Sequence, residues 1–179
     1  MKTDYVPRAL AILIIALLST ATGFTQDAPQ LTDPEIANVA VVANQIDIDY
    51  AQLAMDKSTD PDVREFANTM INDHSAIIKQ AVALVTKLNV TPKDNNVSQS
   101  LLHQADETTK NLKRLKGKDF DRAYINNEVA YHKAVIDAVK NVLIPQSKNP
   151  ELKAFLETAV PILETHLHHA EMAQRNISK

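Results

Sequence analysis

The chain has 179 residues, a formal net charge of −3, two glycines, no cysteine and 4% aromatic residues. That length fits one domain with a real core, and so few glycines and aromatics exclude a sheet-rich fold, whose hairpin turns and half-buried strands draw on both. The mild acidity gives no basis for binding nucleic acid, and without cysteine any metal must be held by nitrogen and oxygen rather than thiolate.

The N-terminus carries Lys2 and Arg8, then an apolar run from Ala9 to Leu18, then the small and polar residues Ser19 to Gly23. Positive, apolar and small segments in that order are a secretory signal peptide over residues 1–23, with cleavage after Ala21 or Gly23. The apolar run is short for a bilayer span, so no stable membrane span is expected after cleavage. No cysteine follows it, which excludes a lipid anchor. The mature chain is expected across the inner membrane, in the periplasm or at the cell envelope, with a flexible segment over 24–32 and one helical domain over 33–179.

Thr32-Asp33-Pro34-Glu35 is a helix start, with a capping side chain, proline in the first turn and an acid where the helix dipole favours it. The helix it opens runs to about Lys57, with Asp47 and Asp49 inserted among its apolar residues. Asp60-Pro61-Asp62 repeats the signal, so a second helix runs to about Leu88 as the antiparallel neighbour of the first. Its stripe is Val63, Ala67, Met70, His74, Ile77, Ala81 and Leu88. Asn89 to Val97 reads as a loop. Ser98 then caps a shorter helix that ends at Lys116-Gly117-Lys118. Asp119 caps a long helix that stops at Pro145. Asn149-Pro150-Glu151 opens the last one, in which Pro161 predicts a kink.

An internal echo supports this layout. Ser58 to Phe66 with Thr69 reappears as Ser147 to Phe155 with Thr158, keeping Pro, acid, Phe and Thr at the same offsets. Two similar helical hairpins joined by a crossover with a short extra helix is the ferritin-like form of an all-α four-helix bundle.

Four polar residues stand at matched distances from their helix starts. Asp47 is 14 residues beyond Asp33, His74 is 14 beyond Asp60, His132 is 13 beyond Asp119, and His166 is 17 beyond Asn149. Antiparallel helices of similar length place these at one height. Imidazole and carboxylate converging in a bundle core is how metal sites without thiolate are made. Glu128, four residues before His132, is placed to accept that ring's other N–H. His169 supports His166 from three residues away. Asp49 competes with Asp47 for the inward position. Asp73 falls on a neighbouring face, toward solvent or another helix, and is not a ligand. His103 reads as a surface residue, His168 as either a surface residue or a ligand, and Tyr50 and Tyr124 as core.

Phe66-Ala67, Met70 and Asp73-His74, then Phe120-Asp121-Arg122-Ala123-Tyr124 followed by His132, then Pro161, Leu163 and His166, resemble the exported bacterial proteins of domain-of-unknown-function family 4142. The resemblance covers about residues 34–174. It implies a ferritin-like fold in the periplasm or at the cell surface and no established activity. The paired Glu-x-x-His motifs of di-iron relatives are absent, since Ile71 stands three residues before His74 and Leu163 three before His166. Ferroxidase or di-iron oxygenase chemistry is not expected.

Two functions follow from the residues. One is an exported bundle holding a single zinc, copper, iron or manganese ion through Asp47, His74, His132 and His166, with Glu128 and His169 in support, in metal sequestration or stress protection. The other is a metal-free structural or interaction module of the envelope, its histidines serving as core hydrogen-bonders or pH-sensitive groups. No organic cofactor is indicated, no nucleophile motif supports a hydrolase, and nothing sets the oligomeric state.

Overall fold

The structure is a computed structural model and describes residues 30–177. The signal peptide and most of the segment expected to be flexible lie outside the described residues. Four long helices and one crossover helix account for the domain: α1 (Asp33–Lys57), α2 (Pro61–Lys87), α3 (Asn96–Arg114), α4 (Gly117–Ala138) and α5 (Pro150–Ile177). Among the described residues all regular structure is helical, and no helix is long and apolar enough to cross a membrane.

The caps explain the boundaries. Thr32 and Glu35 form a box in which the Thr32 backbone N–H and hydroxyl both donate to the Glu35 carboxylate, at 2.9 and 2.7 Å. Asp60 accepts from the N–H groups of Asp62 and Val63 at 3.0 and 3.2 Å, and Asn149 does the same for Glu151 and Leu152 at 2.9 and 3.1 Å. These bonds satisfy donors that a helix start otherwise leaves unpaired. Asp33 adds a long-range tie, accepting from the backbone N–H groups of Lys148 and Asn149 at 2.8 and 2.9 Å, so the start of α1 is fixed to the start of α5.

Several boundaries differ from those the sequence suggests. Asn95, not Ser98, caps α3, accepting from Val97 and Ser98 at 3.0 and 3.1 Å, while the Ser98 hydroxyl turns back to Asp94. Gly117, at φ +52°, opens α4 directly after a two-residue break, so Asp119 sits inside the first turn rather than at the cap. Leu31, at the end of the segment expected to be flexible, is buried, and its N–H donates to the Gln146 side chain at 2.7 Å.

The helical run stops at Gln146, one residue past Pro145. The chain widens into a π-helical turn over Val139–Leu143 and continues through the short turn Ile144–Gln146. The wider register offers a place for a ring that would collide with the carbonyl four residues back in a regular α-helix. Likewise α5 runs through Pro161 as one element.

Helix α1 packs on α2 and α4 on α5 as two antiparallel hairpins, with α3 lying chiefly against α1. The core has two apolar clusters at different heights. One gathers Tyr50, Phe66, Met70, Phe120, Tyr124 and Ile125; the other gathers Ile36, Val39, Val139, Leu143, Leu152 and Leu156. Between them, at mid-bundle, lies a layer of buried polar side chains.

Candidate metal centre

Each long helix sends one or more polar groups into that layer. Asp47, Glu128 and His132 are fully enclosed, and His74 and His166 are nearly so. The three imidazole rings form a triangle with centroids 5.0 Å apart for His74 and His166, 5.5 Å for His132 and His166, and 5.8 Å for His74 and His132. Asp47 Oδ2 stands 3.4 Å from His74 Nε2 and 3.5 Å from His132 Nε2. Asp49 faces outward, where it accepts from Gln45 at 2.8 Å.

The outer hydrogen bonds decide which ring nitrogen faces inward. The Asn44 amide donates to the Ala40 carbonyl at 2.7 Å, which fixes its oxygen toward His74 Nδ1, also 2.7 Å away. An acceptor there requires the proton on Nδ1 and leaves the Nε2 lone pair free. His132 Nδ1 donates to the Glu128 backbone carbonyl at 3.0 Å, leaving its Nε2 free. His166 Nε2 donates to the Asp73 carboxylate at 2.9 Å, leaving its Nδ1 free.

All three free nitrogens, and both oxygens of Asp47, are buried without a hydrogen-bond partner. A native core rarely leaves even one such group unsatisfied, and each one ordinarily costs about 1–3 kcal/mol. Donor atoms of His74, His132 and His166 lie within 4.8 Å of one another, as do those of Asp47, Glu128 and His132. An ion with tetrahedral ligands about 2.0–2.1 Å away has neighbouring donors about 3.3–3.4 Å apart. The separations from Asp47 to His74 and His132 match that spacing, and each of the two triads is a group that could hold an ion.

The electrostatics agree with the enclosure. Burial pushes the Asp47 carboxyl up to about 8, and burial, reinforced by the Asp47 charge, raises Glu128 well above the carboxylate range. Burial, with the neighbouring imidazoles of His166 and His132, lowers His74 to about 2. Burial also lowers His132 to about 4 and His166 below its ordinary value. The rings are therefore neutral at physiological pH, the state in which imidazole binds metal.

Of the residues singled out in the sequence, Asp47, His74, His132, His166 and Glu128 come together. His169 does not: its ring is exposed beside His168, with centroids 6.4 Å apart. The buried line of α5 runs through Leu163, His166, Ala170 and Ala173, and a step of three from His166 falls outside it. Glu128 orients His132 through its backbone carbonyl, its carboxylate lying 3.6 Å from Nδ1 and within 4.8 Å of an Asp47 oxygen. Asn44 and the half-exposed Asp73 are the outer partners that sequence reasoning did not assign. The signal for Asn44 was available, since it lies three residues before Asp47, on the adjoining face of α1.

The family profile of DUF4142, described as a domain of unknown function, matches residues 19–173. The chain belongs to this family. No curated protein matches it. Among solved structures, DUF4142 here is similar to a Streptomyces coelicolor protein described as secreted, DUF305, at 14% identity and TM-score 0.68, covering 82% of this chain and 93% of that one. It is also similar to CopM in its Cu(II)-bound form, at 16% identity and TM-score 0.61, covering 83% of this chain and 99% of that one. At these identities the likeness shows the fold, a ferritin-like type of helical bundle.

Proposed function

We propose that this DUF4142 protein is an exported metal-binding bundle that holds one transition-metal ion at mid-height through His74 Nε2, His132 Nε2, His166 Nδ1 and Asp47, in metal sequestration or protection against metal stress. The observation that carries the reading is the set of inward lone pairs left unpaired while each ring's other nitrogen is held by Asn44, Glu128 or Asp73. Outer acceptors of this kind fix ring orientation and raise ligand basicity. Three neutral imidazoles and one carboxylate suit zinc or copper, which bind nitrogen-rich sites most tightly among the divalent first-row ions. The shared fold with the Cu(II)-bound CopM makes copper the first ion to test.

A bound ion supplies positive charge where Asp47 is otherwise costly to ionise. The protein's own groups do the rest: Asp47 gives up its proton, and the histidines present fixed lone pairs. The signal-peptide pattern over residues 1–23 supports a periplasmic or envelope location. The test is elemental analysis of tag-free protein after loading with copper or zinc, alongside His74→Ala and His166→Ala. About one ion per chain, lost in both variants that remain helical, is the expected result. Protein that takes up no zinc, copper, iron or manganese and shows no thermal shift with any of them contradicts the reading and leaves a metal-free envelope module.

A further inference from the structure

Beside the polar layer lies a cavity of about 320 Å³. Its polar lining residues are Asn44, Asp47, His74, Gln104, Tyr131 and His132, and all six stand at the mid-bundle end. From there the cavity follows the helices toward Leu31, Leu143 and Phe155, between walls that are otherwise apolar. Its span along α1, from Val39 to Asp47, is about 12 Å at 1.5 Å per residue.

The hollow has a cause in the sequence. Ala40 and Ala43 on α1, Ala134 and Ala138 on α4, and Ala159 on α5 line it, so three helices present methyl groups at positions where leucine would fill the space. Interiors are otherwise packed to crystal-like density, and an empty space of this size forfeits dispersion contacts on every wall. The side facing solvent lies where α3 meets α4, at the exposed residues Gln104 and Ala134, level with the polar end.

We propose that this cavity binds a single-chain amphiphile, a medium-chain fatty acid, with its alkyl tail in the alanine-lined depth and its carboxyl group at the polar end. An engineered apolar cavity of about 150 Å³ takes up benzene, so twice that volume holds roughly twelve non-hydrogen atoms, the size of decanoic acid. The elongated shape favours a linear chain over a ring system. Segregation of the polar lining to one end fixes the direction of entry: the Gln104 side chain and the second amide hydrogen of Asn44 offer donors around the head, and the Tyr131 hydroxyl, which donates to the Ala43 carbonyl at 2.9 Å, offers an acceptor. The proposal goes beyond the metal centre and stands with or without an ion, because the tail supplies the burial.

The test is calorimetric titration of decanoic acid, with acetate as the head-group control, into metal-free and metal-loaded protein, with metal content measured separately. Decanoic acid binding at one per chain, with acetate silent, is the expected result. Ala138→Leu and Ala159→Leu fill the cavity, so each weakens decanoic acid binding by at least about tenfold while raising the melting temperature of the free protein. In wild-type protein, nuclear Overhauser contacts between the chain protons and the methyls of Ala43, Ala138 and Ala159 place the tail without relying on any variant. No uptake by either form, or uptake without those contacts, overturns the proposal. Protein that takes metal but no decanoic acid sinks this inference alone; protein that takes decanoic acid but no metal sinks the metal centre alone.

Discussion

Asp47 and His74 face each other across the α1–α2 hairpin, with Oδ2 of one 3.4 Å from Nε2 of the other. The opposite nitrogen of His74 is held by Asn44 at 2.7 Å, so the facing nitrogen carries a lone pair. A carboxylate oxygen and an imidazole lone pair repel unless something positive stands between them. In the metal-free protein that role falls to a proton on Asp47, consistent with its carboxyl being pushed up to about 8 by burial.

Metal uptake at pH 7 is therefore expected to release about one proton per ion, from Asp47, because the histidines are already neutral. Calorimetry in buffers of different ionisation enthalpy counts it. The number falls toward zero above pH 8, where Asp47 has already ionised, and release that stays constant from pH 6 to 9 assigns the proton elsewhere.

The same group sets the alkaline stability of the metal-free protein. Asp47 has a folded pKa of about 8 against an ordinary 3.8, so the native state holds a proton that the unfolded chain releases. Its stabilising effect is complete below the unfolded value and is lost as pH rises through about 8. Asp47→Asn removes that dependence. In urea melts at pH 9 the metal-free variant is expected to exceed wild type by an amount on the order of a few kcal/mol, while binding no metal.

The histidines act in the opposite direction. His132 is lowered to about 4 by burial, so its native form stays neutral while the unfolded chain takes up a proton near the ordinary 6.5. Stability from this residue is present above the unfolded value and lost as pH falls toward about 4. Relative to His132→Asn, wild type is expected to lose about 1.4 kcal/mol per pH unit across that window. Denaturant midpoints at pH 6.5, 5.5 and 4.5 supply the comparison, and parallel curves contradict it.

Neither Asn44 nor Asp73 is itself a proposed ligand, yet each holds a liganding ring in place. Asn44→Ala and Asp73→Ala are expected to weaken metal binding by about 10–100-fold without loss of helicity. Competition against a chelator of known affinity measures the change. Wild-type affinity in both would mean that the rings are oriented by packing alone.

Much of this was legible in the sequence, for reasons particular residues make plain. The caps at Thr32, Asp60 and Asn149 fix where helices begin, and a rise of 1.5 Å per residue then fixes heights, which is why Asp47, His74, His132 and His166 could be placed in one layer. Facing was harder. His169 shares a helix side with His166 but falls off the buried line, because the bundle accepts a narrow stripe. Asp73 was expected to meet solvent or another helix, but that the helix is α5, through His166, depends on how closely α5 approaches α2, which no local pattern encodes. The π-helical turn at Val139–Leu143 was hidden because Pro145 reads as a stop in an α-register. The alanine-lined cavity was invisible because alanine satisfies an apolar stripe as well as leucine does while leaving its volume unfilled.

The most direct test of the metal centre is X-ray absorption spectroscopy of protein loaded with one equivalent of zinc or copper. A first shell of nitrogen and oxygen at about 2.0–2.1 Å, with outer-shell scattering from three imidazoles that falls to two in His166→Ala, is the predicted result. A shell of oxygen alone, or imidazole scattering unchanged in that variant, would contradict the assignment of His74, His132, His166 and Asp47 to a single ion.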